Sequence, residues 1–536
     1  MNRRWRRWRN SFLMGEMCGF TCRKRPRIAF NPLDMKIRRI LALPGLSLLA
    51  VLAAGSLQAY EALQGPTELL YWDKTNAFNG YTWFGVRGTT YLVDMEGRVA
   101  HTWPIGTNPH LLTNGNVLDA SKDDPSGFGG FTEVDWAGNL VWQYTESRTN
   151  YAPHHDFLRI FNPKLNAFTT LYIANKTVSS NQCVAAGCNP AYGANYSTAQ
   201  MDAIVEVDMS GTVVWEWWFF DHAIQDFDAT KLNYVGSGKT VADYPGRLNL
   251  NIPGLPVQRD WLHCNSIDYN AALDQIIVNS VRGEFYVIGH GNTFIAGNPS
   301  NSIALAASAA GDFLYRFGDP ARYGQGSPPS ILTNWTVSTT GNKQIGGAHH
   351  ASWIPSGLPG AGHLLVFNNA QNLFEHTQGS YVFEINPFLN ALANDAGAYV
   401  NPPDAGYNTW LPAVASAGKN PKLMAKQIVW SYAPKASHAM FSHIGGSAQR
   451  LPNGNTLICS DTEGHIIEVT PAGEAVWEYI NPVTTDGILK FKRDNWPMYN
   501  SIFRAFRIGT NDPVLAGRTL TAGSAITGRT PSYHSP

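Results

Sequence analysis

The stretch SAQRLPNGNTLICSDTEGHIIEVTPAGEAVWEY, residues 447–479, holds four short runs of alternating apolar and polar residues separated by three tight turns. The runs are Ser447 to Leu451, Asn455 to Asp461, His465 to Thr470 and Glu474 to Tyr479; the turns read Pro-Asn-Gly, Thr-Glu-Gly and Pro-Ala-Gly. A two-residue period bounded by Gly and Pro is the pattern of strands in an antiparallel meander. One meander leaves an apolar face uncovered, and repetition about an axis covers it. The outer two strands recur as Thr90 to Trp103, Phe131 to Tyr144 and Ile204 to Trp217, each with an Asp-x-x-Gly turn and an aromatic end. Noisier copies run from Ser302 to Phe317 and from Tyr381 to Ile385, the latter with a delayed partner at Gln427 to Tyr432. The inner pair recurs at His110 to Leu118, Ser266 to Ser280 and Ser352 to Phe367.

These repeats predict an all-β chain, a six-bladed β-propeller with four-stranded antiparallel blades near 66–104, 109–146, 153–220, 262–317, 348–432 and 444–480. Gly-, Pro- and Asn-rich segments at 177–200, 221–260, 318–347 and 388–426 are expected to be long loops capping the disc. The propeller is expected to span 60–482, and the tail 483–536 to pack on it, with Arg504 to Arg507 as a strand or dock. With 50 Gly, 32 Pro and 17 Trp, and 40 basic against 40 acidic residues, the chain has no polyelectrolyte face, so nucleic acid is not an expected partner.

Met35 to Arg39 is basic, Ile40 to Ala54 is apolar, and Ser56-Leu57-Gln58-Ala59 resembles a cleavage site. This reads as an export signal beginning at a true start, Met35, within an N-terminal extension of 1–59. A periplasmic or secreted product is expected, touching the membrane only through that signal, with an uncleaved anchor as the alternative; a homodimer stays open. In an oxidising compartment Cys183 and Cys188 are expected to close a small disulfide ring, two free thiols being the alternative. Cys264 and Cys459 fall in strands and are expected to be buried. No cysteine pair has zinc-ligand spacing, and no metal or other cofactor is expected.

In a propeller the first strand of each blade lines the channel, and its start shares a rim with the turn joining strands two and three. At first-strand starts the chain carries His154 and His155, His263, His349 and His350, and His443; His465 opens strand three of the last blade. Arg282 and Lys176 occupy the corresponding turns of the fourth and third blades. A single histidine at a strand start is ordinarily a hydrogen-bonded structural residue. Five equivalent positions with imidazole or cationic groups point instead to a ring for an anionic oxygen substrate, with neutral imidazole as nucleophile.

The strings DWLHCNSIDYN (260–270), GGAHHASWIPSGLPGAGHLLVFNN (346–369) and GSAQRLPNGNTLICSDTEGHIIEVT (446–470) resemble the bacterial arylsulfate sulfotransferases that need no nucleotide sulfate donor. The resemblance runs from about 66 to 510. It implies a periplasmic six-bladed propeller that moves a sulfuryl group from an aryl sulfate to a phenolic acceptor through a sulfated histidine. On matching motifs it implies His465 as nucleophile, with His263 and His349 in support, and its loop disulfide matches Cys183 and Cys188. Arg282, Asn372, His155, Lys176 and His443 are the expected substrate-binding groups. The family's arginine after the Leu-Val-Phe-Asn-Asn strand is missing from Leu364 to Ser380, where Asn372 occupies that neighbourhood. Alternatives are an aryl sulfate hydrolase using the same site and a non-catalytic binding propeller. The sulfatase signature Cys-x-Pro-x-Arg fails here, because Cys188-Asn189-Pro190-Ala191 ends in Tyr192.

Overall fold

The computed structural model describes residues 67–526 apart from 122–128, 191–198, 253–254, 256, 258, 326–343, 370–379, 402–406, 410–422, 434–439, 485–486 and 490–499. Six antiparallel sheets form the ring, making the chain a six-bladed β-propeller. From channel to rim, the second blade runs His110–Leu111, Val117–Ala120, Gly130–Val134 and Leu140–Thr145. The third runs Tyr151–Asn162, Ala167–Thr177, Gln200–Asp208 and Val213–Trp218; the fourth, Cys264–Asn270, Gln275–Ser280, Glu284–Gly289 and Tyr315–Phe317. The fifth uses His350–Trp353, Leu364–Asn368, Tyr381–Ile385 and Ile428–Tyr432.

The outer turns explain the repeat. In each, a glycine N–H returns to the carbonyl three residues earlier: Gly97 to Asp94 at 2.9 Å, Gly138 to Asp135 at 3.0 Å and Gly211 to Asp208 at 3.0 Å. These glycines take φ of 75°, 84° and 84°, a region that disfavours a side chain. The aspartate side chain caps the same turn, as Asp208 Oδ1 accepts from the Ser210 and Thr212 N–H groups at 2.8 and 2.9 Å. Asp-x-x-Gly thus fixes both turn and register, and the aromatic residues that follow fill the seams between blades, with Trp103, Trp215 and Trp217 all buried.

Closure differs from simple repetition. Glu68–Trp72 is not an inner strand of the first blade; it adds a fifth, outermost strand to the sixth blade, pairing Leu69 with Tyr479 and Trp72 with Trp477. The inner strand of the first blade comes from the tail, where Ala505–Gly509 pairs with Gly80–Val86, Ala505 opposite Phe84 and Gly509 opposite Gly80. The first blade looks irregular in sequence because its innermost strand lies over 400 residues away. Pro299–Ala306, inside the segment expected to supply outer strands, is an α-helix with Asn298 capping it and Pro299 at its first turn, so only Tyr315–Phe317 completes the fourth blade. The 177–200 loop carries a second helix, Ser180–Ala186, and Cys183 and Cys188 form the disulfide with Cα atoms 5.4 Å apart. Cys264 and Cys459 are buried thiols.

Candidate active site

The inner strands of the third, fourth and fifth blades start at one rim, and their first residues meet there. His155 and His263 stack edge-on with ring centroids 4.6 Å apart, and the Nδ1 atoms of His154 and His155 lie 2.8 Å apart. One proton fits between those nitrogens, so one ring accepts. Burial first, then the neighbouring His154, His263, His349 and Arg504, push the His155 pKa well below its ordinary value. His155 is therefore neutral, with one ring N–H and one lone pair to share between His154 and the space at the rim. Asp202 lies 2.9 Å behind His154.

His349 is 3% exposed, and burial pushes its pKa down to about 4. Its Nδ1–H donates to the Gly347 carbonyl at 2.7 Å and to Asn369 Oδ1 at 3.0 Å, which leaves Nε2 with a lone pair. The amide of Asn369 donates to the carbonyls of Ser442 and Gly445, both at 2.9 Å. One asparagine thus ties the His349 ring to the exposed loop that carries His443. His263 is anchored differently: its Nδ1 donates to Asp260 Oδ2 at 2.5 Å. Burial works against the Asp260 carboxylate, yet the hydrogen bond and charge of His263 leave its pKa below the usual range.

Three non-glycine residues of this cluster hold left-handed backbone, His155 at φ 58°, Asp260 at 54° and His263 at 50°. Such a conformation costs about 1–2 kcal/mol per residue and persists where the surroundings over-determine it. Arg282 supplies part of that support, its Nε donating to the Trp261 carbonyl at 3.1 Å and its Nη2 to that of Asp260 at 3.3 Å. It braces the turn that presents His263. Arg504, just ahead of the tail strand and 5% exposed, crosses beneath the cluster. Its Nη1 meets Asp156 Oδ2 at 2.7 Å, and its Nη2 donates to the carbonyls of Asn265 at 2.9 Å and His349 at 3.4 Å, joining three blades. Among the described residues, no group of three His, Cys, Asp or Glu side chains is arranged to hold a metal ion.

The other expected site residues stand apart. Lys176 pairs with Glu216 Oε1 at 2.7 Å and lies over the Trp218 ring, bound to the outer strand of the third blade. His465 opens the third strand of the sixth blade opposite Ser460 and Ile480. That is the rim of the first-strand starts, but two strands further out, about 10 Å at the spacing of a sheet. It is 1% exposed, and its Nε2 meets Glu478 Oε1 at 2.8 Å. Asn372 lies outside the described residues. Sequence reasoning passed over Asp260 and Asn369, although both stand inside the strings quoted above, and saw Arg504 only as part of a tail strand.

The chain matches the model of the family described as Arylsulfotransferase (ASST) over residues 86–382, more than half its length. It belongs to the arylsulfotransferase family. The matched span contains His155, His263 and His349 and stops before His443 and His465. No curated protein matches the chain. Among solved structures it is similar to a protein of unknown function from Bacteroides caccae, at 11% identity and a TM-score of 0.34, covering 80% of this chain and 99% of that one. It is also similar to apo AztD from Citrobacter koseri, at 8% identity and a TM-score of 0.33, covering 81% of this chain and 99% of that one. Membership of the family supports aryl sulfotransferase activity in general.

Proposed function

We propose that the protein moves a sulfuryl group from an aryl sulfate to a phenolic acceptor by a ping-pong reaction through a sulfohistidine, carried out at the imidazole rim. The observation that carries this reading is the convergence of His155, His263 and His349, from three blades, with the rings of His155 and His349 held neutral and the His349 tautomer fixed by its two acceptors. Motif resemblance implies His465 as the attacked ring. At 1% exposure and bonded to Glu478, that ring would have to move to meet a substrate. We assign the attack to His443 instead, because it is exposed and its loop is tethered to His349 through Asn369.

An imidazole nitrogen of His443 attacks sulfur, the sulfur–oxygen bond to the aryl group breaks, and the phenolate leaves. The rings of His155 and His263 face the oxygens on which charge develops. In the second half, the acceptor phenol gives its proton to His349 Nε2 as its oxygen attacks sulfur, the nitrogen–sulfur bond breaks, and His443 is restored. His349 loses that proton readily because its pKa lies near 4. Export to an oxidising compartment belongs to the same proposal, and the Cys183–Cys188 disulfide supports it.

The test is incubation with 4-methylumbelliferyl sulfate, with and without phenol, followed by tryptic mass spectrometry for an adduct of about 80 Da on imidazole. Cleavage at Arg450 separates the peptide bearing His443 from the one bearing His465. Release of fluorophore that depends on phenol, with the adduct on the His443 peptide, is expected. Equal release without phenol would make the protein a hydrolase, and no release with any acceptor would leave a binding propeller.

A further inference from the structure

Below the imidazole rim the channel opens into a separate cavity of about 220 Å³. The inner strands descend from the rim, so Leu158, Ile267 and Trp353 lie three or four residues past His155, His263 and His349. At about 3.3 Å per residue this sets the cavity roughly 10–13 Å down the channel. His350 and Arg504 lie at its upper end, and Trp353, Ile267 and Phe506 are among its walls.

Its polar groups are incompletely used. His350 is 7% exposed, its ring lies 5.8 Å from that of Phe506, and its Nδ1 is buried without a hydrogen-bond partner. The Nε–H groups of Arg504 and Arg450, two further lining residues, are also buried and unpartnered. Each such group has given up water with nothing in the protein to replace it. The cavity nevertheless carries no surplus of positive charge. Arg504 is paired with Asp156 at 2.7 Å, Arg450 is paired with Glu384, and Asp268 lines the wall. An anion gains little there. A hydroxyl fits, because it accepts from the Arg504 Nε–H while donating to a neutral His350. Burial and the Arg504 charge push the pKa of that ring down to about 3.

We propose that this cavity is a second small-molecule site, taking one neutral phenol-sized hydroxyarene whose ring lies among Trp353, Ile267 and Phe506. Size agrees, since an apolar cavity of about 150 Å³ already holds benzene. The proposal rests on this lining and not on the transfer chemistry at the rim.

Fluorine NMR titration of the full chain with 4-fluorophenol tests it, with folding of each variant checked by its melting temperature. Wild type and His263→Ala are expected to share one bound resonance. Ser352→Phe, which fills the cavity from its wall, is expected to abolish it, and His350→Leu to weaken binding about tenfold. Should Ser352→Phe fail to fold, Leu158→Phe replaces it and His350→Leu still decides. Absence of a bound resonance in wild type, its survival at full strength in the filling and His350→Leu variants, or its loss in His263→Ala would overturn the proposal.

Discussion

Replacing Arg504 with methionine removes a cation that joins three blades beneath the imidazole rim. Its partner Asp156 is wholly buried, and the pair meets at 2.7 Å. Breaking a buried pair from one side costs about 3–5 kcal/mol, because the remaining charge stays out of water. Asp156 would keep the N–H groups of Phe157 at 3.0 Å and Ile267 at 2.9 Å, which puts the loss toward the lower figure. For a folded body of this size the unfolding entropy is near 1 kcal/mol per degree, so a melting temperature about 3–5 °C below wild type is expected at pH 7. In wild type, burial raises the Asp156 pKa, but Arg504, His110 and the Ile267 N–H together hold it well below the usual range. That stability is present above the unfolded carboxylate pKa of about 3.9 and is lost as pH falls through the lower folded value. In the variant the cation is gone and burial remains, so Asp156 takes up its proton at higher pH and the gap to wild type narrows on acidification. Adding Asp156→Asn removes the stranded charge and should recover at least half the loss. Calorimetric melts of the three proteins at pH 7 and pH 5 decide. A single variant melting within 1 °C of wild type at pH 7, or a double variant no better than the single, would refute the reasoning.

His443→Ala should abolish the imidazole adduct and cut turnover by 10³-fold or more, whereas His465→Ala should lower the melting temperature while adduct formation continues; fluorophore release and peptide mapping read both. Asp260→Asn keeps the shape of the His263 turn but removes the carboxylate that fixes its tautomer, so kcat/KM for 4-methylumbelliferyl sulfate should fall by about 10²–10⁴. Because His349 must be neutral to accept a proton and its pKa is near 4, the acid limb of the rate should lie below pH 5; in Arg504→Met, which removes a charge that depresses this pKa, the limb should move to higher pH. Lys176→Met should leave kcat/KM within twofold of wild type, since the ammonium serves Glu216 and Trp218, though thermal stability should fall.

The blades were readable because each outer turn needs a particular chemistry. Asp94 to Gly97, Asp135 to Gly138 and Asp208 to Gly211 carry the aspartate that caps and the glycine that tolerates positive φ, and both leave a mark in the chain. The tail strand Ala505–Gly509 had no such mark, because a partner so distant in sequence leaves no local period. Pro299–Ala306 is helical through its Asn298 cap, where expectation followed the blade spacing and passed over the cap. At the site, His155, His263 and His349 were found because first-strand starts must converge in any propeller. The carboxylate and amide that orient them, Asp260 and Asn369, sit three residues before His263 and at the end of a neighbouring strand, positions no repeat rule singles out. His465 met the rule for the correct rim, yet that rule says nothing of distance from the axis.

The pairing of Gly80–Val86 with Ala505–Gly509 also sets an order of assembly. A growing chain can complete the second to fifth blades as they emerge, while its first blade waits, three strands wide, for a piece still unmade. Arg504 comes with that piece, so the floor under the imidazoles is made of residues near the end of the described chain. A chain cut short before residue 504 would therefore have most of its blades and no finished centre.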